Sequence, residues 1–214
     1  MNGSAKQLRR LRLALALAGV AFLGAGFAAT AERWIYQARQ ERALFRPARI
    51  AVPGPAPAAG VAPSAPAPAS HELDPLVLGT LEIRRLGIAG IVREGEDDAT
   101  LALAIGHVPG TAKPGEPGNM VLAAHRDTFF RELRQIEPHD RITFDFPPHH
   151  YEYQVVSTRV VNPSQIEVMA PHGIDELTLL TCFPFDFIGS APQRFVVSAI
   201  RIATTPSPSS RSTP

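Results

Sequence analysis

Hydrophobic positions follow two different patterns along this chain. From Leu13 to Ala29 seventeen residues run LALALAGVAFLGAGFAA without a charge. A stretch apolar on every side has no polar face to offer water, so it is not an amphipathic surface helix. Its length is at the short end of what crosses a bilayer. From about His71 to Ile202 the pattern changes to short segments of period two. Leu81–Ile83 and Ile88–Val92 flank a turn at Gly87, and Met120–Ala123 follows a loop rich in Pro and Gly. Arg141–Phe146 alternates, with Ile142, Phe144 and Phe146 on one face, and Tyr151–Val161 does the same over a longer span. Leu177–Leu180 and Phe195–Ile202 complete the set.

Two short helices are expected between these strands. One follows Asp127 or Thr128 as a cap, with Phe129, Leu133 and Ile136 on one side and Pro138 as its stop. The other starts at Asn162 with Pro163 in its first turn. Many short strands separated by turn signals predict a mainly β domain, a closed or nearly closed barrel with short helices, preceded by an N-terminal transmembrane helix.

The flanks of the apolar run divide the rest of the chain. Residues 1–12 hold Lys6, Arg9, Arg10 and Arg12 and no acid, which keeps the N-terminus in the cytoplasm. Residues 13–30 form the anchor, in preference to a cleaved signal peptide, because the run exceeds a typical signal core. Trp34 and Tyr36 fall where an interfacial aromatic belt sits. Residues 31–70 read as a stalk and a Pro/Ala-rich spacer, 71–202 as the folded domain and 203–214 as a disordered tail. Anchor or signal, the folded domain is expected outside the cytoplasm.

Composition narrows the chemistry. The net charge of +1 argues against a basic face for nucleic acid, so no nucleic-acid partner is expected. The single cysteine, Cys182, excludes an intramolecular disulfide and cysteine-rich zinc sites. His149 and His150, in a Pro-flanked turn, lack a third ligand nearby, so no metal site is expected.

Cys182 ends an apolar strand just before Phe183-Pro184, His125 closes another strand, and Arg194 opens the last one. Taken singly, each has a blander reading: a small packed thiol, a surface histidine, a solvated strand end. Together they place a thiol, an imidazole and a guanidinium at strand ends that can converge on one rim of a barrel. A thiolate is a nucleophile, an imidazole can donate a proton to a leaving amine, and a fixed cation can hold an oxyanion.

The run Thr178-Leu179-Leu180-Thr181-Cys182 resembles the T-L-x-T-C signature of sortases. His125 lies 57 residues before the cysteine and Arg194 lies 12 after it, as in that family. Gly79-Thr80-Leu81-Glu82-Ile83, Gly106-His107-Val108-Pro109-Gly110-Thr111, the segment from Gly118 to Phe130 and Ser190–Phe195 resemble class D and proteobacterial single sortases. Ala124 departs from the glycine that many relatives carry before the histidine.

The resemblance implies a β-barrel of the sortase type and a cysteine transpeptidase. Its partners would be a protein with a C-terminal LPXTG-like signal, cleaved after Thr through a thioacyl intermediate on Cys182, and an amine acceptor. His125 would be the acid/base, Arg194 the oxyanion group, and Thr181, Asn119 and Asp127 would bind substrate or support the site. No cofactor is expected. The acidic run Glu94, Glu96, Asp97, Asp98 is read as a solvated turn in preference to a calcium loop. Two alternatives use the same residues differently: a thiol peptidase with water as acceptor, and a non-catalytic tethered barrel that binds envelope proteins.

Overall fold

The computed structural model of the chain describes residues 3–45 and 73–207. Eight strands close into one barrel in the order β1-β2-β3-β4-β7-β8-β6-β5. They are β1 (Val77–Ile83), β2 (Ile88–Glu94), β3 (Ile105–His107), β4 (Asn119–Ala123), β5 (Arg141–Phe146), β6 (His149–Val161), β7 (Glu176–Phe183) and β8 (Gln193–Pro206). Two neighbouring pairs, β2/β3 and β4/β7, are parallel. The mainly β barrel expected from the period-two segments is therefore present, and it is closed.

Alternation along the strands fills the barrel. Leu81, Ile83, Leu122, Ile142, Phe144, Leu177 and Leu179 are fully buried in one core cluster. Fully burying side chains of this size stabilises by roughly 1.5–3 kcal/mol each, so this layer dominates the fold. Among the described residues closure leaves no unpaired edge strand.

Helix α1 (Gly3–Leu44) is continuous through the apolar run and beyond it. Its segment from Leu11 is long and apolar enough to cross a membrane, and the apolar window is not buried by the rest of the chain. Beyond that window α1 turns from an isolated helix into a docked one. Tyr36 donates from its hydroxyl to Asp74 at 2.9 Å, and the Gln37 side chain donates to the Leu103 carbonyl at 2.7 Å and accepts from the Ile91 N–H at 2.6 Å. Arg33 stacks over the Phe129 ring at 5.8 Å. Tyr36 is thus turned to the barrel rather than to an interfacial belt, while Trp34 stays exposed.

Several local expectations change. The helix expected after Asp127 is a 3₁₀ turn, Arg131–Gln135, that starts from Phe130 with no side-chain cap. The one expected after Asn162 is likewise a 3₁₀ turn, Ile166–Met169, entered from Gln165. A helix not expected, α2 (Asp98–Leu103), starts where the acidic run is: Asp97 accepts from the Thr100 N–H at 3.0 Å and from its hydroxyl at 2.9 Å. His149 and His150 open β6 instead of lying in the turn. β8 continues to Pro206, because residues 203–206 pair with His149–Glu152 of β6, so they belong to the barrel and not to a tail. Residues 46–72, which include the Pro/Ala-rich part of the stretch 31–70 read as stalk and spacer, and residues 208–214 lie outside the described residues.

Candidate active site

β7 and β8 pair antiparallel with Cys182 directly opposite Arg194. β4 and β7 pair in parallel with Ala123 opposite Leu180, and the Ala124 N–H continues that ladder to the Leu180 carbonyl at 3.2 Å. His125 follows one residue after Ala124, past the end of β4. Cys182 and Arg194 thus face each other across β7 and β8, and His125 follows β4, the neighbour of β7 on its other side, so the three form a row at one rim of the barrel.

They also share a face. Met120, Leu122 and Ala124 of β4, Leu177 and Leu179 of β7, and Phe195 and Val197 of β8 belong to the barrel core. Val121, Ala123, Leu180 and Val196 point the other way and pack in clusters outside it. Side chains alternate along a strand, so Cys182 and Arg194 continue this outer set, and His125 follows directly after Ala124. Below the row the outer face is covered by Val168 and Met169 of the Ile166–Met169 turn. Cys182 is a free, half-buried thiol. Arg194 Nη1 donates to the carbonyls of Gln193 at 3.0 Å and Ala191 at 3.3 Å.

Residues 81–202 match the family model of the sortase domain. This chain belongs to the sortase family. It is 32% identical over 125 residues to Sortase D of Bacillus subtilis (strain 168), a match covering 58% of this chain and 63% of that protein. The chain thus spans less than two thirds of that curated relative. Among solved structures it is similar to a Clostridium perfringens Sortase D5 transpeptidase, at 26% identity and a TM-score of 0.55, covering 59% of this chain and 79% of the other. Sortase C-1 from Actinomyces oris gives 27% identity and a TM-score of 0.56 over 60% and 75% of the two chains.

Within the sortase domain the remaining expected site residues separate. Thr181 lies on the inner face, buried, and its hydroxyl donates to the Ala124 carbonyl at 2.7 Å. Asn119 is buried at the opposite end of β4 from His125. Its side chain accepts from the Thr178 hydroxyl at 2.9 Å and faces the Val168 and Ala170 carbonyls at 3.5 Å. It braces the wall beside the row and does not reach the row. Asp127 is exposed beside Arg33 and Phe129 and caps no helix.

Two residues were not anticipated. Arg126 Nη2 donates to the carbonyls of Phe187 at 2.7 Å and Gly189 at 2.8 Å, and Nη1 donates to that of Pro184 at 3.2 Å. The residue after His125 therefore holds the loop between Cys182 and Arg194. Arg134 adds an ion pair with Asp186 at 3.1 Å and stacks over Phe185. Only a basic residue next to the histidine hinted at this in sequence. His107 is fully buried, its ring between the Glu94 carboxylate and the Ala112 carbonyl, each at 3.0 Å. A cleft of about 680 Å³ lies away from the row, between α1 and strands β1 and β2.

Proposed function

We propose that this chain is a membrane-anchored cysteine transpeptidase acting on proteins that end in an LPXTG-like sorting signal. The observation that carries the reading is Cys182 directly opposite Arg194 on β7 and β8, with His125 just past the end of the neighbouring β4. The Cys182 thiol gives its proton to His125 as its sulfur attacks the carbonyl carbon of the signal's Thr and the C=O π pair moves onto the oxygen. Arg194 donates to the oxyanion of the tetrahedral intermediate; its bonds to Ala191 and Gln193 both use Nη1. As the C–N bond to Gly breaks, His125 protonates the departing amine, leaving a thioester on Cys182. An incoming amine then attacks the thioester, its proton passes to His125, and Cys182 leaves as the C–S bond breaks. Losing a donor of the Arg194 kind costs about 10²–10³ in kcat at comparable sites.

Anchoring by α1 supports the reading, because holding enzyme and membrane-bound substrate on one surface raises their local concentration. The cell membrane is the location that fits, with the N-terminus in the cytoplasm and the barrel outside.

The test incubates the full chain with an LPXTG-type peptide library and an added amine, and follows Cys182 by mass spectrometry. A thioacyl adduct and an amine-exchanged product, both absent in Cys182→Ala, are expected. Adduct with hydrolysis alone would reassign the protein as a thiol peptidase. A thiol inert to every peptide and to an alkylating mimic would leave a non-catalytic barrel.

A further inference from the structure

We propose that the barrel stands on the membrane with its catalytic rim against the lipid headgroups, and that Phe187 and Ile188 of the β7–β8 loop enter the interfacial layer. This rests on the reading of α1 as a membrane span. It adds which end of the enzyme faces the bilayer and what touches it.

The order of contacts along α1 gives the direction. Arg33 meets Phe129, Gln37 meets Ile91, and Tyr36 and Gln40 meet Asp74. Phe129 in turn packs at Gly90, and Asp74 pairs with Arg93. As α1 runs from 33 to 40 it therefore follows β2 from Gly90 towards Arg93, and the apolar segment before residue 31 projects from the Gly90 end.

That end is the catalytic one. β2 begins at the 84–87 turn, and Arg85 of this turn bonds Asp140 and the Gln135 carbonyl. The 124–140 connection starts at His125 and closes the same end. β7 ends there just after Cys182, and β8 starts there just before Arg194. The 108–118 loop and the turn at Pro147-Pro148 lie at the other end. Thr30 and Arg33 are three residues apart, a rise of about 4.5 Å along the helix. The rim therefore sits at the level where the apolar segment stops.

Its surface suits that position. Ile188 is 96% exposed and Phe187 is 44% exposed, at the tip of a loop that Arg126 holds by three carbonyls. Arg84 and Arg131 are exposed in other connections of the same end, paired with the surface carboxylates of Glu82 at 3.1 Å and Glu132 at 4.0 Å, and their guanidinium groups are donors that phosphate headgroups accept. The dock also fixes the reach of the enzyme: the Gln40 side chain accepts from the Asp74 N–H at 3.0 Å, so the chain on both sides of residues 46–72 meets at one point. Height above the membrane is set by α1 and not by the Pro/Ala-rich stretch. A sorting signal must then be offered within the headgroup layer, directly beside its own membrane-spanning segment.

The test uses the full chain in a Cys182→Ala background with one new cysteine, Ile188→Cys at the rim or Lys113→Cys at the far end. Each carries an environment-sensitive fluorophore in phosphatidylcholine/phosphatidylglycerol vesicles containing headgroup-level quencher lipids. Blue-shifted, strongly quenched emission from 188 and unquenched emission from 113 are expected. Loss of quenching at 188 in Gln37→Ala/Gln40→Ala, in chains that still float with the vesicles, would tie the orientation to the docked helix. Floating chains with 113 quenched, or with neither quenched, would overturn the proposal alone. Chains that do not float would overturn it together with the membrane-span reading. Unchanged quenching in the double variant would overturn the role given to the dock.

Discussion

The hydroxyl of Thr181 donates to the carbonyl of Ala124 at 2.7 Å, so the residue before the cysteine holds the residue before the histidine. Both are buried, and the bond crosses between β7 and β4 at the point where the regular ladder ends. With the backbone bond from the Ala124 N–H to the Leu180 carbonyl, it extends the register of β4 and β7 to the residue that precedes His125.

Thr181→Val keeps the shape and removes the donor, leaving a buried carbonyl unpaired. A loss of about 1–3 kcal/mol of stability is expected. The expected kinetic signature is a fall in kcat with KM nearly unchanged, because the variant shifts His125 and not the substrate contacts. Thr181→Ser should restore both. Peptide-exchange kinetics alongside urea unfolding check this, and a Ser variant as impaired as Val would refute the positioning role.

Arg126 spans three carbonyls of the 184–189 loop with one guanidinium fork. Arg126→Lys keeps the charge but cannot reproduce the fork. Faster proteolytic nicking between residues 184 and 190 is expected in Arg126→Lys as well as Arg126→Ala, with a stability loss of about 2 kcal/mol for the latter. Limited proteolysis read by mass spectrometry makes the comparison. A Lys variant that resists nicking like the parent would show that charge alone holds the loop.

Asp140 supplies a pH test. Its bonds from the Arg85 guanidinium, aided by the Glu137 N–H, hold its carboxyl below the ordinary value of 3.8, against the opposing effect of burial. A depressed carboxylate contributes stability above its unfolded pKa and loses it as pH falls through the folded one. Asp140→Asn should therefore cost most at pH 7, by about 1–3 kcal/mol. The gap to the parent should close progressively as pH drops below 3.8. Urea midpoints measured at pH 7 and at successively lower pH decide it; a gap that stays constant would mean the carboxylate's charge is not what matters.

Strand positions were legible either as alternation or, for the fully buried β4, as the apolar run Met120–Ala123. β3 was missed because Ile105-Gly106-His107 is three residues long and offers neither signal. Leu133 and Ile136 do pack into the core as their spacing suggested, yet the segment is 3₁₀, since spacing reports a face and not a hydrogen-bond pattern. Residue types, strand ends and the sortase-like motifs brought His125, Cys182 and Arg194 forward as candidates. The work of Arg126 could not be read from them, because its partners are backbone carbonyls at least 58 residues away, which no side-chain pattern reveals. The docking of α1 was hidden for a related reason: Tyr36 looks like an interfacial aromatic, and Gln37 and Gln40 like solvated stalk residues, until the barrel is beside them.

Two glycines of one sequence motif, Gly106 and Gly110, are required for different physical reasons, and one pair of substitutions separates them. A Cβ on Gly106 would stand 2.3 Å from the Gly95 carbonyl oxygen and 2.8 Å from Leu101, with no room in β3 to move. Gly110 meets nothing within 4 Å but has φ of +85°. Gly106→Ala should cost about 1–3 kcal/mol by overpacking, and Gly106→Asn more, because a larger side chain worsens the clash. Gly110→Ala should cost about 1–2 kcal/mol through backbone strain, and Gly110→Asn less, because asparagine tolerates the left-handed region. Denaturant midpoints of the four variants should rank in opposite directions at the two positions. The same ranking at both would mean that space, or conformation, governs the two glycines alike.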